Sequence, residues 1–325
     1  MKDKRNMSNL LEERSYFKPF NYPWAFEHYK TQQHMHWLPD EVPMADDIKD
    51  YNENLPESSK SLLNKLFTFF TQADVDVCCG YAKHYLPTFK QPEVRMMLAA
   101  FAAMEAVHQE AYSLLLETLG FGDDVYKDFM KHKEMMDKHE YLNNFGMDTP
   151  MDIAKTMAIY SGFTEGVQLF SSFAILLNFP RHGQMKGMGQ IVSWSVRDES
   201  LHVEGMSQLF RTFIQENPSL WNDELKYEIY CAAERTVELE DAFIDLCFQD
   251  AEIENLTAQE VKDYIRYIAD RRLLGLGCKK IFGSEENPLP WIDYMTNAVE
   301  HTNFFENRAT EYSRASTTGN WQDIF

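Results

Sequence analysis

The sequence lacks the features that mark nucleic-acid-binding, secreted and membrane proteins. Basic residues are few, with 31 Lys and Arg against 51 Asp and Glu, so the formal net charge is -20. A surface of that charge repels nucleic acid and anionic membranes. No stretch reaches the ~18 consecutive apolar residues of a membrane-spanning helix, and the N-terminus has no apolar run of a signal peptide. We expect a cytoplasmic protein that binds neither nucleic acid nor a membrane.

Cysteine and strand-like patterns are also scarce. The 5 cysteines are an odd number, and none forms a Cys-x-x-Cys pair. This argues against a disulfide framework and against a zinc ribbon, so we expect reduced thiols. Alternation of apolar and polar residues, the signal of a half-buried strand, is rare. The chain is therefore predicted to be almost wholly α-helical.

Helix signals recur along the chain. Pro92 can open a helix that Gly120 closes. Thr149, followed by Pro150, predicts the start of a second helix that ends before Pro180. Apolar periodicity predicts further helices at about 57–85, 124–143, 184–216, 221–249 and 258–274. A chain of 325 residues that is 44% hydrophobic can bury one large helical core.

Two Glu-x-x-His pairs lie within these apolar helices, Glu105 with His108 and Glu199 with His202. Residues three apart share one face of a helix. Each pair can therefore present a carboxylate and an imidazole to the same metal ion. Glutamate and histidine are rarely buried without a partner, which gives weight to pairs in such apolar surroundings.

Two other predicted helices carry Asp74 and Glu165 among hydrophobic neighbours. Inward carboxylates from four helices, with Glu-x-x-His on two of them, are the pattern of ferritin-like di-iron and di-manganese bundles. Carboxylates and imidazoles suit iron or manganese better than copper or thiolate-bound zinc. The pattern predicts a dinuclear metal site, with mutually satisfied buried ion pairs as the alternative.

Tyr112 follows Glu105 by seven residues and His108 by four, so it lies close to the same helical face. Helical side chains lean toward the N-terminus, which would aim the phenol back at the metals. A tyrosine in that place can be oxidised. An ordinary core aromatic is the alternative interpretation.

At this point the sequence resembles the small, radical-generating subunit of class I ribonucleotide reductase over nearly its whole length. The resemblance is carried by Trp37–Val42, Ala103–His108 with Tyr112, Arg197–His202, Asn287–Trp291 and Phe304–Ser313. It implies an all-α, ferritin-like bundle that contains the dinuclear site. It also implies an N-terminal arm at 1–36, a di-metal helical domain at 37–303 and a flexible tail at 304–325 that docks the large subunit.

The resemblance assigns roles to individual residues. It implies that one ion is held by Asp74, Glu105 and His108, and the other by Glu165, Glu199 and His202. The two ions, iron with manganese as the alternative, would activate dioxygen to form a radical at Tyr112. By the same resemblance Trp37, Asp198 and Tyr312 would connect that radical to the large subunit, which reduces ribonucleotides to deoxyribonucleotides. A homodimer is implied as well.

Three further residues bear on this expectation. Asp198 directly precedes Glu199, about 100° around the helix, where it can accept a hydrogen bond from a ligating imidazole. Leu169 and Ser195 stand where many members of the family have bulkier apolar residues, which leaves the lifetime of a radical open.

Two other functions stay open. A self-contained di-metal oxidase would need a substrate channel and no tail, and an iron-storage protein would be a shorter chain that assembles into a shell. Trp37, Asp198 and the aromatic tail favour the reductase subunit.

Overall fold

The computed structural model describes residues 10–296, apart from 143, 144 and 252. Tyr312 and the predicted tail at 304–325 lie outside these residues. The described part is helical, and its one extended pairing is a bridge between Ile253 and Leu256. Its α-helices are α1 (Pro23–His34), α2 (Ala45–Lys49), α3 (Glu57–Gly80), α4 (Leu86–Thr88), α5 (Pro92–Thr118), α6 (Lys133–Leu142), α7 (Pro150–Thr156), α8 (Phe170–Arg181), α9 (Lys186–Glu216), α10 (Asp223–Phe248) and α11 (Ala258–Gly275).

The predicted helix boundaries are largely confirmed, but the helix predicted at about 124–143 is divided into a 3-10 helix, Asp123–Lys131, and α6. Helix α5 begins at Pro92 and ends at Thr118, and Gly120 follows with a φ of 88°. Thr149 caps α7 through a reciprocal pair of hydrogen bonds with Asp152. The predicted stop before Pro180 is wrong, because α8 continues to Arg181. A proline in a last turn removes only one backbone donor, so the helix can end just beyond it.

The segment that carries Glu165 is a wide helix. Between α7 and α8, Met157–Gln168 forms a π-helix, and a shorter one, Tyr81–Tyr85, continues α3. Such segments occur often at functional sites. At Gly166 a Cβ atom would lie 2.9 Å from Nε of Arg272, which donates a hydrogen bond to the carbonyl of Gly166. A larger residue at this position would have to displace the Arg272 side chain.

The central bundle consists of α3, α5, the wide helix with α8, and α9. Helix α1 packs against α5, whereas α10 and α11 pack against the wide helix. Apolar side chains fill the bundle, and the 5 cysteines of the chain are free thiols. Within the described ranges, no helix is long and apolar enough to cross a membrane. The bundle places one inward face of each of its four elements around a common centre.

Candidate metal centre

The bundle buries the six predicted ligands, which are 0% or 1% exposed. They are Asp74 on α3, Glu105 and His108 on α5, Glu165 on the wide helix, and Glu199 and His202 on α9. Ligand atoms lie within 4.8 Å of one another in two groups, Asp74–Glu105–His108 and Glu105–Glu199–His202. Glu105 belongs to both groups, as a carboxylate between two ions would. Glu165 is outside these two groups but interacts electrostatically with Glu199, His202 and Glu105.

Both imidazoles turn the same nitrogen toward the carboxylates. Nδ1 of His108 lies 3.5 Å from Oε2 of Glu105 and 3.4 Å from Oε1 of Glu199. Nδ1 of His202 lies 2.8 Å from Oε1 of Glu105. The i to i+3 spacing of the two helices thus brings both Nδ1 atoms to one centre.

The other imidazole nitrogens face a buried polar network. Nε2 of His108 lies 3.2 Å from Oδ2 of Asp198, and Nε2 of His202 lies 3.0 Å from Oε1 of Gln32. Gln32 donates to Oδ1 of Asp198 over 3.3 Å, and the Trp37 indole donates to Oδ2 over 2.8 Å. Acceptors at both Nε2 atoms favour a proton there, which leaves each Nδ1 lone pair free for a metal. The structure thus brings Trp37 and Asp198 together with the centre.

Gln32 is a site residue that the sequence analysis missed. It lies on α1, inside the predicted N-terminal arm, and is 2% exposed. No spacing or motif distinguishes it from the other polar residues of that helix, because its position depends on the packing of α1 against α5.

Tyr81 was also missed, although a signal was present. It follows Asp74 by seven residues, the spacing at which Tyr112 follows Glu105. Its hydroxyl donates to Oε2 of Glu165 over 2.8 Å. A search for tyrosines one heptad after each candidate ligand would have found it.

Burial and charge act differently on the individual carboxyl groups. Burial raises the pKa of Asp74 and of Glu165 well above the ordinary range. Burial also acts to raise the pKa of Glu105, but contacts with His108 and His202 outweigh it and lower that pKa to about 2. The pKa of His202 is raised to about 10, since its contacts with Glu105 and Glu199 outweigh the lowering effect of burial. Four carboxyl groups thus share one enclosed space with two imidazoles.

The donor set fits two metal ions. Within the described part of the chain, both carboxylate oxygens of Glu105 and of Glu199, Oδ2 of Asp74 and Oε1 of Glu165 lack a hydrogen-bond partner. Buried polar atoms are normally paired, and buried charges are normally paired or coordinate metals. Carboxylate oxygens and imidazole nitrogens are ligands of divalent first-row metals. Two cations in this centre would satisfy the unpaired oxygens.

Tyr112 lies in the core beside this centre. It is 2% exposed, and its ring centroid lies 4.4 Å from that of Phe70. Its hydroxyl donates to Oγ of Ser195 over 3.2 Å. Burial raises the pKa of Tyr112 well above the ordinary value, and the negative charges of Asp74 and Glu199 add to that effect. The phenol is therefore neutral and shielded from water.

Comparisons with known proteins agree with this geometry. The sequence profile of the family "Ribonucleotide reductase, small chain" matches residues 14–288. A protein of Invertebrate iridescent virus 3, named a probable ribonucleoside-diphosphate reductase small subunit, is 47% identical over 96% of this chain and 88% of its own length. The ribonucleoside-diphosphate reductase subunit beta of Chlamydia pneumoniae is 32% identical over 91% of this chain and 89% of its own length.

Solved structures give the same result for the fold. The ribonucleotide reductase R2 subunit from Clostridium botulinum superimposes with a TM-score of 0.78 at 22% identity, covering 85% of this chain and 88% of that one. A dimanganese(II) protein of Streptococcus sanguinis superimposes with a TM-score of 0.74 at 20% identity, covering 86% of this chain and 99% of that one. The predicted all-α, ferritin-like fold is confirmed. With the profile match and the 47% identical relative, these findings show that the chain belongs to the ribonucleotide reductase small chain family.

Proposed function

We propose that this chain is the radical-generating small subunit of a class I ribonucleoside-diphosphate reductase, with two iron ions in the buried centre. The observation that carries the proposal is the convergence of two Glu-x-x-His pairs, whose Nδ1 atoms and carboxylates face one another inside the bundle. Manganese is the second candidate, since one structural neighbour is named as a dimanganese(II) protein. The donor set suits either metal.

In this proposal one ion is held by Asp74, Glu105 and His108, and the other by Glu165, Glu199 and His202. When bound, the metal pair supplies the oxidising power of dioxygen, which removes one electron from Tyr112. The protein supplies the ligand geometry and a dry pocket. Burial holds the phenolic proton on Tyr112 until oxidation, because the phenolate would be an unpaired buried charge.

We further propose that Trp37 and Asp198 connect the centre with the large subunit. The Trp37 indole and the His108 imidazole both contact Oδ2 of Asp198, and their rings are stacked with centroids 6.1 Å apart. Asp198 can pass or hold a proton between these two rings while an electron moves. Its pKa is lowered, since contacts with His108, Arg197 and Trp37 outweigh burial, so it stays an acceptor at neutral pH.

The remaining parts of the proposal concern the assembly. Tyr312 would continue the transfer route, and the segment 304–325 would dock the large subunit. The division of the chain at residues 36 and 303 stays a prediction. We propose a homodimer, the form named for a structural neighbour from Saccharomyces cerevisiae.

Removal of residues 316–325 tests this function. The full chain and the shortened chain are each loaded with ferrous iron, exposed to oxygen and assayed with the large subunit from the same source. We expect both to show a tyrosyl signal by electron paramagnetic resonance (EPR), but only the full chain to support reduction of a ribonucleoside diphosphate. Equal reduction by the two chains would contradict docking through the tail. No reduction by the full chain, with its radical present, would contradict the reductase assignment and favour an independent oxidase.

A further inference from the structure

Ser195 has an unusual hydrogen bond for a serine within a helix. It lies on α9, four residues before Glu199, and is 1% exposed. A serine inside a helix often donates back to the carbonyl four residues earlier, as Ser200 does to Val196 over 2.7 Å. Among the described residues, the only hydrogen bond of the Ser195 side chain is the one that its Oγ accepts from Tyr112. The hydrogen of its hydroxyl group is therefore uncommitted.

An uncommitted hydroxyl hydrogen matters beside an oxidisable phenol. A neutral phenol can donate one hydrogen bond, whereas a phenoxyl radical has lost that hydrogen and can only accept. A serine hydroxyl is both donor and acceptor, and its hydrogen moves by rotation about the Cβ–Oγ bond. The contact of 3.2 Å could therefore reverse its direction without movement of either oxygen atom.

Besides Ser195, the described neighbours of Tyr112 are aromatic rings and the carboxyl groups of the centre, of which Asp74 acts on it most strongly. Its ring packs against Phe70, which in turn packs against Phe173 with a centroid separation of 5.3 Å. Phe70 and Phe173 carry no polar hydrogen, and within the described contacts Ser195 is the side chain that shares a hydrogen bond with Tyr112.

We propose that Ser195 is a positioning residue that accepts a hydrogen bond from the Tyr112 phenol and donates one to its radical. The inference rests on the proposed function. On oxidation the phenolic O–H bond of Tyr112 would break, the electron passing to the bound metal pair, which would draw its oxidising power from dioxygen, and the proton passing to the carboxylate groups that line the centre. Ser195 keeps its own proton throughout, so its contribution is a reversed bond and no net proton transfer.

High-field EPR and deuterium double-resonance spectroscopy test this directly. The full-length protein, Ser195→Ala and Ser195→Thr are exchanged into deuterium oxide, loaded with ferrous iron and exposed to oxygen. We expect an exchangeable deuteron coupled to the radical in the wild type and in Ser195→Thr, and its loss in Ser195→Ala. The largest g value should rise in Ser195→Ala, because a hydrogen bond stabilises the oxygen lone pair and reduces spin–orbit mixing. Alanine favours helices, so the variant should fold.

The outcomes separate this inference from the function on which it rests. A wild-type tyrosyl signal without an exchangeable deuteron would overturn the role of Ser195 and leave the radical assignment intact. The same holds if Ser195→Ala retains the wild-type coupling and g value, which would make Ser195 a space-filling residue. Absence of any tyrosyl signal in the wild type would overturn both, since the radical is the state to which Ser195 is proposed to donate.

Discussion

Two buried tyrosines flank the centre, and their sequence contexts are nearly alike. Tyr112 follows Glu105 by seven residues, and Tyr81 follows Asp74 by seven. Both are at most 2% exposed, and burial raises the pKa of each well above the ordinary value. Spacing, burial and acidity therefore do not distinguish them.

The hydrogen-bond partners of the two tyrosines distinguish them. Tyr81 donates to the carboxylate of Glu165, a proposed metal ligand, whereas Tyr112 donates to the hydroxyl of Ser195. Loss of the Tyr81 hydrogen would release a bond that orients a ligand. Loss of the Tyr112 hydrogen breaks no described hydrogen bond to any of the six proposed ligands. We therefore expect the hydrogen-bond partner of each phenol, more than its spacing along the helix, to suit Tyr112 to oxidation and Tyr81 to ligand orientation.

The largest expected effect is the loss of the radical in Tyr112→Phe. With the phenolic oxygen removed, the oxidised centre has no proposed radical residue, and we expect no tyrosyl signal by EPR after loading with iron and oxygen. Tyr81→Phe is the matched control and should retain the signal. A signal that survives in Tyr112→Phe and disappears in Tyr81→Phe would reverse the two roles.

A large effect on stability is expected at Lys138, on the Glu165 side of the centre. Its Nζ lies 2.5 Å from Oε1 of Glu240 and donates to the carbonyl of Gln168, the last residue of the wide helix. Loss of one partner of a buried ion pair costs about 3–5 kcal/mol. We expect Lys138→Met to lower the free energy of unfolding of the metal-free protein by that amount in urea titrations.

The double variant Lys138→Met/Glu240→Gln serves as the control for Lys138. It removes both charges, so much of the lost stability should return. Equal stability of Lys138→Met and the wild type would show that the pair does not hold the wide helix.

A smaller difference in stability should separate the two tyrosines themselves. Tyr81→Phe leaves the buried carboxylate of Glu165 without its donor, which costs about 1–3 kcal/mol. Tyr112→Phe leaves only a neutral serine hydroxyl, and a neutral hydrogen bond contributes about 0.5–1.5 kcal/mol. Chemical denaturation of both variants in the same metal state measures the difference. Equal losses of unfolding free energy in the two variants would show that the bonds to Glu165 and to Ser195 contribute equally to stability.

The last prediction concerns the pH dependence of stability. The pKa of His202 is raised from 6.5 to about 10 in the folded, metal-free protein. A raised pKa contributes stability that is complete below the unfolded value and is lost as the pH rises through the folded value. The raised pKa values of Asp74 and Glu165 act in the same direction, beginning at lower pH.

The melting temperature of the metal-free protein should therefore fall between pH 6.5 and about 10. Metal binding requires deprotonated ligands and removes this dependence, so the metal-loaded protein should lose less stability over the same range. Thermal unfolding of the two forms across this range checks the prediction. Parallel curves would show that these groups are not linked to metal binding.

Local rules predict much of this molecule from the sequence. The i to i+3 rule brings Glu105 and His108 to one face, and proline, glycine and threonine mark the ends of α5 and the start of α7. The rest depends on tertiary structure. Gln32 reaches His202 only because α1 packs against α5, and the wide helix has no local signal comparable to a cap. The i to i+7 spacing of Tyr81 was visible, but its bond to Glu165 needs the fold.

The π-helical conformation of Met157–Gln168 makes the number of residues in this segment as important as their identity. Each residue advances an α-helix by about 100°, so a π-helical turn accommodates a residue that a regular helix could not. Deleting one residue from the stretch 157–164 would allow the segment to relax toward an α-helix and would change the rotational position of Glu165 relative to the centre. Evolutionary change in this segment is thus expected to proceed by substitution, since insertions and deletions would alter the rotational register of a proposed ligand.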